Sequence, residues 1–271
     1  MLRKLIMGMT ALMMVAGVAG AAGDVNFGYK FKVGGAEKYH LLINTEMEMT
    51  GMKASQIADM TVTVTCVSSK PGAYAMNMTF DNVETTNTIS GSSQPDPSAE
   101  QMIGKSVLFT VDEHGTVSNV APGPDFEAWA SVQRVVEPTL KNWYVFMPDK
   151  AVAAGSGWKR DNYRDTSVAG SEYVTNEKYT FRETKDEGGA SLAVVDQDVT
   201  TKVGGTTQTP MGNFDIAGTG SGKFEFYFDA GRGVITHYKG SMQTDINMTP
   251  QSGGDAMKTS VTNHIERELL K

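Results

Sequence analysis

Apolar and polar residues alternate with a period of two along most of this chain. In Thr45-Glu46-Met47-Glu48-Met49-Thr50 the methionines share one face and the glutamates the other. Large apolar residues take every second place in Tyr74-Ala75-Met76-Asn77-Met78-Thr79-Phe80-Asp81, and Phe224, Phe226 and Phe228 alternate with Glu225, Tyr227 and Asp229. This pattern predicts antiparallel strands with one face on a core and the other in water. Thr61, Thr63 and Thr65 supply β-branched residues for a wet face, while Val62, Val64 and Cys66 share the apolar one. Asp112-Glu113-His114-Gly115 and Asp229-Ala230-Gly231-Arg232-Gly233 read as hairpin turns, with glycine supplying the positive φ. Gly34-Gly35, Gly188-Gly189, Gly204-Gly205 and Gly253-Gly254 mark further turns, and Ser90–Ser98 reads as a mobile polar loop.

One stretch changes period. After Pro122-Gly123-Pro124 and a capping Asp125, the residues Phe126, Trp129, Val132, Val136 and Leu140 recur every three or four positions. That stripe predicts an amphipathic helix, which Pro138 should end or kink. A greasy helix in a β-rich chain must bury its stripe, and a concave sheet face is the economical place.

Three short patterns also occur twice in the same order. Glu37-Lys38-Tyr39 returns as Glu177-Lys178-Tyr179. Gly72-Ala73, with a run ending Val83-Glu84-Thr85-Thr86, returns as Gly189-Ala190 with Val199-Thr200-Thr201. Gly104-Lys105 with Asp112, Gly115 and Val117 returns as Gly222-Lys223 with Asp229, Gly233 and Ile235. The expected fold is therefore mainly β: a strongly curved antiparallel sheet or open half-barrel of two related halves, with one central helix packed on it. The halves would cover about 26–121 and 170–271, with helix and linker at 122–169, in a single domain spanning 22–271.

The first residues narrow the compartment. Arg3 and Lys4 precede an apolar run from Leu5 to Val18, and Ala19-Gly20-Ala21 offers a small-x-small cleavage site. This reads as a secretory signal, residues 1–21, rather than a membrane span. The expected location is periplasmic or extracellular, in solution. Losing two of the 24 basic residues against 31 acidic ones takes the net charge from −7 to −9. An acidic balance with no basic run argues against nucleic acid or anionic lipid surfaces as general partners. The single cysteine, Cys66, forms no internal disulfide, so the fold must rest on its core.

Motifs for catalysis are missing. Ala217-Gly218-Thr219-Gly220-Ser221-Gly222-Lys223-Phe224 superficially suggests a phosphate loop, but Ala217 stands where the first Gly is needed and Phe224 where Ser or Thr would hold magnesium. A flexible turn is the better reading. His40, His114, His237 and His264 have no metal-binding spacing, and there is no Gly-x-Ser-x-Gly elbow. No enzyme, metal or cofactor is expected, and Asp112 and Asp229 are read as turn formers. Methionine is the unusual residue. Met47, Met49, Met60, Met76, Met78, Met242, Met248 and Met257 fall on predicted strands, where flexible thioethers suit either core filling or an adaptable apolar binding surface.

Phe146-Met147-Pro148-Asp149-Lys150-Ala151-Val152-Ala153-Ala154-Gly155-Ser156-Gly157-Trp158 carries a Pro-x-Lys-x-Val-x-x-Gly-x-x-Trp pattern, and Tyr29-Lys30-Phe31-Lys32-Val33-Gly34 precedes Lys38-Tyr39. In these features the chain resembles an uncharacterised family of bacterial exported proteins and lipoproteins. The resemblance implies a cell-envelope location and a β-rich fold, and brings no activity with it. In outline the fold is also similar to the open half-barrels of bacterial lipoprotein carriers. The expectation is a binding protein for a lipid-like or peptide ligand, with Phe126, Trp129, Trp143, Met76 and Met78 lining its groove. The alternative is a structural or protein-interaction module of the envelope, with a filled core and an envelope protein as partner.

Overall fold

The computed structural model describes residues 23–271 except 50, 125, 128, 167–169 and 210–211. The signal segment and the helix-capping Asp125 lie outside the described residues. Among the described residues, twelve strands form one antiparallel sheet: β1 (Ala36–Met49), β2 (Met52–Lys70), β3 (Ala73–Ile89), β4 (Ser92–Pro95), β5 (Ser106–Asp112), β6 (Val117–Pro122), β7 (Gly157–Asp165), β8 (Ser171–Glu187), β9 (Ala190–Thr209), β10 (Gly212–Asp229), β11 (Val234–Pro250) and β12 (Met257–Leu269). The order across the sheet is β6-β5-β3-β2-β1-β12-β11-β10-β9-β8-β7, with β4 beside β3. The first and last long strands thus meet in the middle, Tyr39 opposite Leu269 and Met49 opposite Thr259. The sheet is strongly curved and does not close, because β6 and β7 stay unpaired to each other. The recurring patterns fall on β1, β3 and β5–β6 and again on β8, β9 and β10–β11. Both sets step across the sheet in the same direction, with β2 intercalated in the first.

The alternation decides which residues face inward. Val62, Val64 and Cys66 are buried together with Met76, Met78, Phe109, Phe181, Phe226 and Phe228. Burial also pushes the Cys66 thiol up, so it behaves as a small hydrophobe.

Two irregular stretches fill this face. The segment from Val25 to Val33 crosses it, with Val25 bridged to Val152 and Phe27 packed against Trp158, Phe181 and Phe228. Tyr29 donates its hydroxyl to the Val145 carbonyl (3.1 Å) and accepts from the Val145 amide (3.0 Å). The two recurring hairpin turns clamp the same region. Asp112 accepts from the amides of His114 and Thr116, and Asp229 from that of Arg232, so both aspartates build turns. Gly115 and Gly233 have φ of 89° and 71°. A Cβ on Gly115 would stand 2.8 Å from the Tyr29 ring, and one on Gly233 would stand 2.5 Å from the Lys30 amide nitrogen. Glycine is required at both.

The helix α2 (Trp129–Lys141) begins one turn later than its stripe suggests, since Phe126 precedes it and accepts from the Trp129 amide. It continues through Pro138. The proline costs a bond near the helix end, while Val136 and Leu140 on either side are buried at 4% and 1% exposure. Lys141 in the last turn pairs with Glu137 (3.1 Å) and with Asp165 on β7 (3.2 Å), while the helix body lies against β6. The helix and the stretch after it therefore bridge the two free edges of the sheet.

Three turn assignments need correction. Ser90–Ser98 is not a plain loop: Ser92–Pro95 pairs with β3, and Asp96 caps the short helix α1 (Pro97–Glu100) by accepting from the Ser98 amide. Gly204-Gly205 lies inside β9, paired with Ala217 and Ile216. The glycines 218, 220 and 222 lie inside β10, not in a turn. They give neighbouring strands room, since a Cβ on Gly220 would stand 2.6 Å from Thr244 Oγ1 and one on Gly222 would stand 2.8 Å from the Ser241 carbonyl.

Candidate functional site

The inner face divides into a covered half and an uncovered half. All five residues expected to line a groove are in or beside the covered half. Met76 and Met78 are 2% and 3% exposed, Phe126 and Trp143 are 5% and 4%, and Trp129 is half-buried against Phe126 (ring centres 5.6 Å apart). They pack into one core. Within it, Met76 and Tyr144 help line a small pocket of about 180 Å³ whose rim carries Lys30, Lys32 and Arg232. A larger hollow of about 680 Å³ opens mainly on the outer face, among Lys223, Glu225, Lys239, His264 and Glu266. Its charges are largely spent on one another: Glu225 pairs with Arg182 (2.7 Å) and Lys239 (3.4 Å).

The uncovered half runs outward from Ile43, Ile265 and Gly240. Register fixes what it presents. Met47 lies opposite Ala54 and Val261, Met49 opposite Met52 and Thr259, Leu41 opposite Met60, and Met248 opposite Met257. Met242, Thr244 and Ile246 complete the row on β11. These side chains share the parity of Leu41 and Val62, so they extend the core face beyond its cover. The opposite parity carries Glu46, Glu48, Lys53, Asp59, Asp245 and Lys258. No Asp, Glu, Lys or Arg occupies an inner position of β1, β2, β11 or β12 in this half. Met47 and Met52 remain 40% and 44% exposed, and Ile89 beside them on β3 is 57% exposed. One polar row crosses this face between Ile43 and Met47, where Thr45 lies opposite Gln56 and Asn263 and donates to Asn263 (2.8 Å). A mainly apolar, charge-free face of this kind, with charged residues behind it, is what an interaction surface looks like. Met47, Met49, Met60, Met242, Met248 and Met257 were legible as strand methionines; nothing in the sequence said which stretch of the face would stay open.

A buried polar row separates the halves. Arg160 on β7 holds Glu177 on β8 through two 2.8 Å bonds. Tyr179 donates to Glu177 (2.6 Å) and accepts from Gln197 (3.3 Å), which in turn accepts from Tyr238 (3.3 Å). The row ends at Arg267 on β12, whose guanidinium lies over the rings of Trp143 (4.6 Å), Tyr238 (5.3 Å) and Tyr39 (5.7 Å) and donates to the Trp143 carbonyl.

Neither a protein-family model nor a curated protein matches the chain. A solved structure of lipovitellin, concerned with its lipid–protein interactions, has a similar fold. The TM-score is 0.60 at 11% identity, covering 89% of this chain and 26% of that one. At that identity the likeness is one of fold, and this chain spans about a quarter of the lipovitellin chain. Among the described residues, no group of three or more His, Cys, Asp or Glu is placed to hold a metal ion, and no helix is long and apolar enough to cross a membrane.

The tyrosines around Arg267 make alkaline stability a test of this interior. Burial pushes the Tyr39 phenol up to about 12 and raises those of Tyr29, Tyr144, Tyr179 and Tyr238 as well, against a partial lowering by nearby arginine charge. In the unfolded chain these groups ionise near pH 10. Above that pH the folded state keeps protons that the unfolded state has lost. Stability should be complete below about pH 10 and fall as pH rises towards 12, by about 1.4 kcal/mol per pH unit for each such tyrosine. Denaturant midpoints between pH 8 and 11, read beside tyrosinate absorbance, check this. Free titration of these tyrosines near pH 10 with the fold intact would contradict it.

Proposed function

We propose that the protein is an exported, non-enzymatic binding protein for an apolar, lipid-like ligand, and that the uncovered methionine strip receives the acyl chain. The observation that carries this reading is the charge-free inner face of β1, β2, β11 and β12, left without a covering segment while its outer side is charged. Methionine suits such a surface, since its unbranched thioether adapts to flexible chains. Each methylene removed from water contributes about 0.8 kcal/mol, enough for an acyl chain to bind without polar contacts. The similarity to a structure of lipovitellin, whose subject is lipid–protein interaction, supports the same ligand class.

The protein purified from its native compartment should release acyl lipid on solvent extraction, and the delipidated protein should bind a fluorescent fatty-acyl probe in a saturable way. If no lipid is released and no probe binds, the strip serves a protein partner instead. The tightly filled core around Met76, Met78 and Trp143 is the feature that favours that second reading.

A further inference from the structure

Arg267 sets a second requirement on the ligand. It is 5% exposed and occupies an inner position of β12, opposite Leu41 on β1 and Tyr238 on β11. The next inner position outward is Ile265, about 7 Å along the strand, where the uncovered half begins. Between Ile265 and Phe224 the row holds Gly240; the Phe224 ring lies over it and stacks on Tyr238 (ring centres 5.2 Å apart), so this ring must turn aside for a ligand to pass from the strip towards Arg267.

A guanidinium offers five N–H donors and always carries its charge. Among the described residues, this one has a single hydrogen-bond acceptor, the Trp143 carbonyl. Its Nε is buried without a partner, and among the described residues no carboxylate lies within ion-pair distance of it. Arg160 shows how the same sheet neutralises a buried arginine, with a bidentate carboxylate from Glu177. Glu177 is occupied there and by Tyr179. The rings around Arg267 belong to Trp143 and to tyrosines that stay neutral, so they offer π faces and no negative charge. A buried cation without a counter-ion is costly to keep, and Arg267 lies one inner position from Ile265, where the strip begins.

We propose that the ligand is an anionic amphiphile, its chain along the methionine strip and its carboxylate or phosphate head paired with Arg267. This rests on the lipid-binding reading above and adds the head-group chemistry to it. A small inorganic anion would have to cross the apolar row at Ile265 and Phe224, whereas an amphiphile is carried over it by its own chain.

The test titrates the delipidated full-length protein with oleate, oleyl phosphate and oleyl alcohol, all below their aggregation limits. Either anion should bind at least tenfold tighter than the alcohol, and whichever does identifies the head group. Arg267→Gln should abolish that preference while leaving alcohol affinity within about twofold, and Arg267→Lys, which keeps the charge, should retain part of it. Equal affinities for all three ligands would overturn the head-group assignment and leave the lipid-binding reading standing. A preference that survives in Arg267→Gln would overturn the role of Arg267. Binding of none of the three overturns both readings. If Arg267→Gln does not fold, the comparison of ligands on the unmodified protein still decides.

Discussion

Glu177→Ala is expected to lower folding stability by about 3–5 kcal/mol, because it strands a buried cation. Arg160 and Glu177 are 13% and 7% exposed at their side chains, and the carboxylate also accepts from Tyr179. Removing it leaves the Arg160 guanidinium against the rings of Tyr163 and Phe146, 3.9 and 5.4 Å away, with no counter-charge. The pair also ties β7, a free edge of the sheet, to β8. Edge loss should therefore show as faster amide exchange along Gly157–Asp165 before global unfolding. Urea denaturation followed by tryptophan emission measures the effect, since Trp158 stacks on Tyr179 at 5.0 Å. The double variant Arg160→Met with Glu177→Leu should recover most of the loss, as apolar pairs of similar volume often do. A single-variant loss under 1 kcal/mol would mean that water already reaches the pair.

Strand faces and turns were readable in the sequence, and cover over the sheet was not. Alternation gave β1, β3 and β10 their faces, the three-to-four spacing gave α2, and Asp112 and Asp229 proved to be turn builders. These signals are local, so a linear reading reaches them. Cover is not local. Met47 and Met76 occupy the same face of the same sheet, yet one is 40% and the other 2% exposed. The difference comes from the Val25–Val33 and 143–158 segments, which have no periodicity to announce where they will lie. The polar row did leave a trace. Glu177 shares the parity of Tyr179 and Phe181, and Arg267 that of Ile265 and Leu269. A charge at an apolar parity within a strand is a signal for a paired or ligand-facing group. The glycine run 218–222 misled because glycine usually marks turns. Here it lets β9 and β11 side chains close over β10.

Met47→Glu should weaken acyl-ligand binding at least tenfold while the protein keeps its fold. The side chain is 40% exposed, so a carboxylate there stays hydrated and costs the fold less than about 1 kcal/mol. A bound chain must either desolvate that carboxylate or lift away from it. Lifting two or three methylenes off the strip forfeits about 1.6–2.4 kcal/mol, roughly a fifteen- to sixty-fold loss of affinity. Ile57→Glu supplies the control. Ile57 is 47% exposed on the neighbouring strand but lies opposite Asn44, at the outer parity. It adds the same charge within the same hairpin and should leave affinity within about twofold. Met76→Leu tests the covered half, where a volume-conserving change should cost less than about 1.5 kcal/mol of stability and leave binding unaltered. Titrating one fluorescent fatty-acyl probe against all three variants separates the two faces and the two halves. If Ile57→Glu weakened binding as much as Met47→Glu, charge alone would explain the loss. If only Met76→Leu weakened it, the ligand would belong in the small pocket beside Tyr144 and not on the open strip.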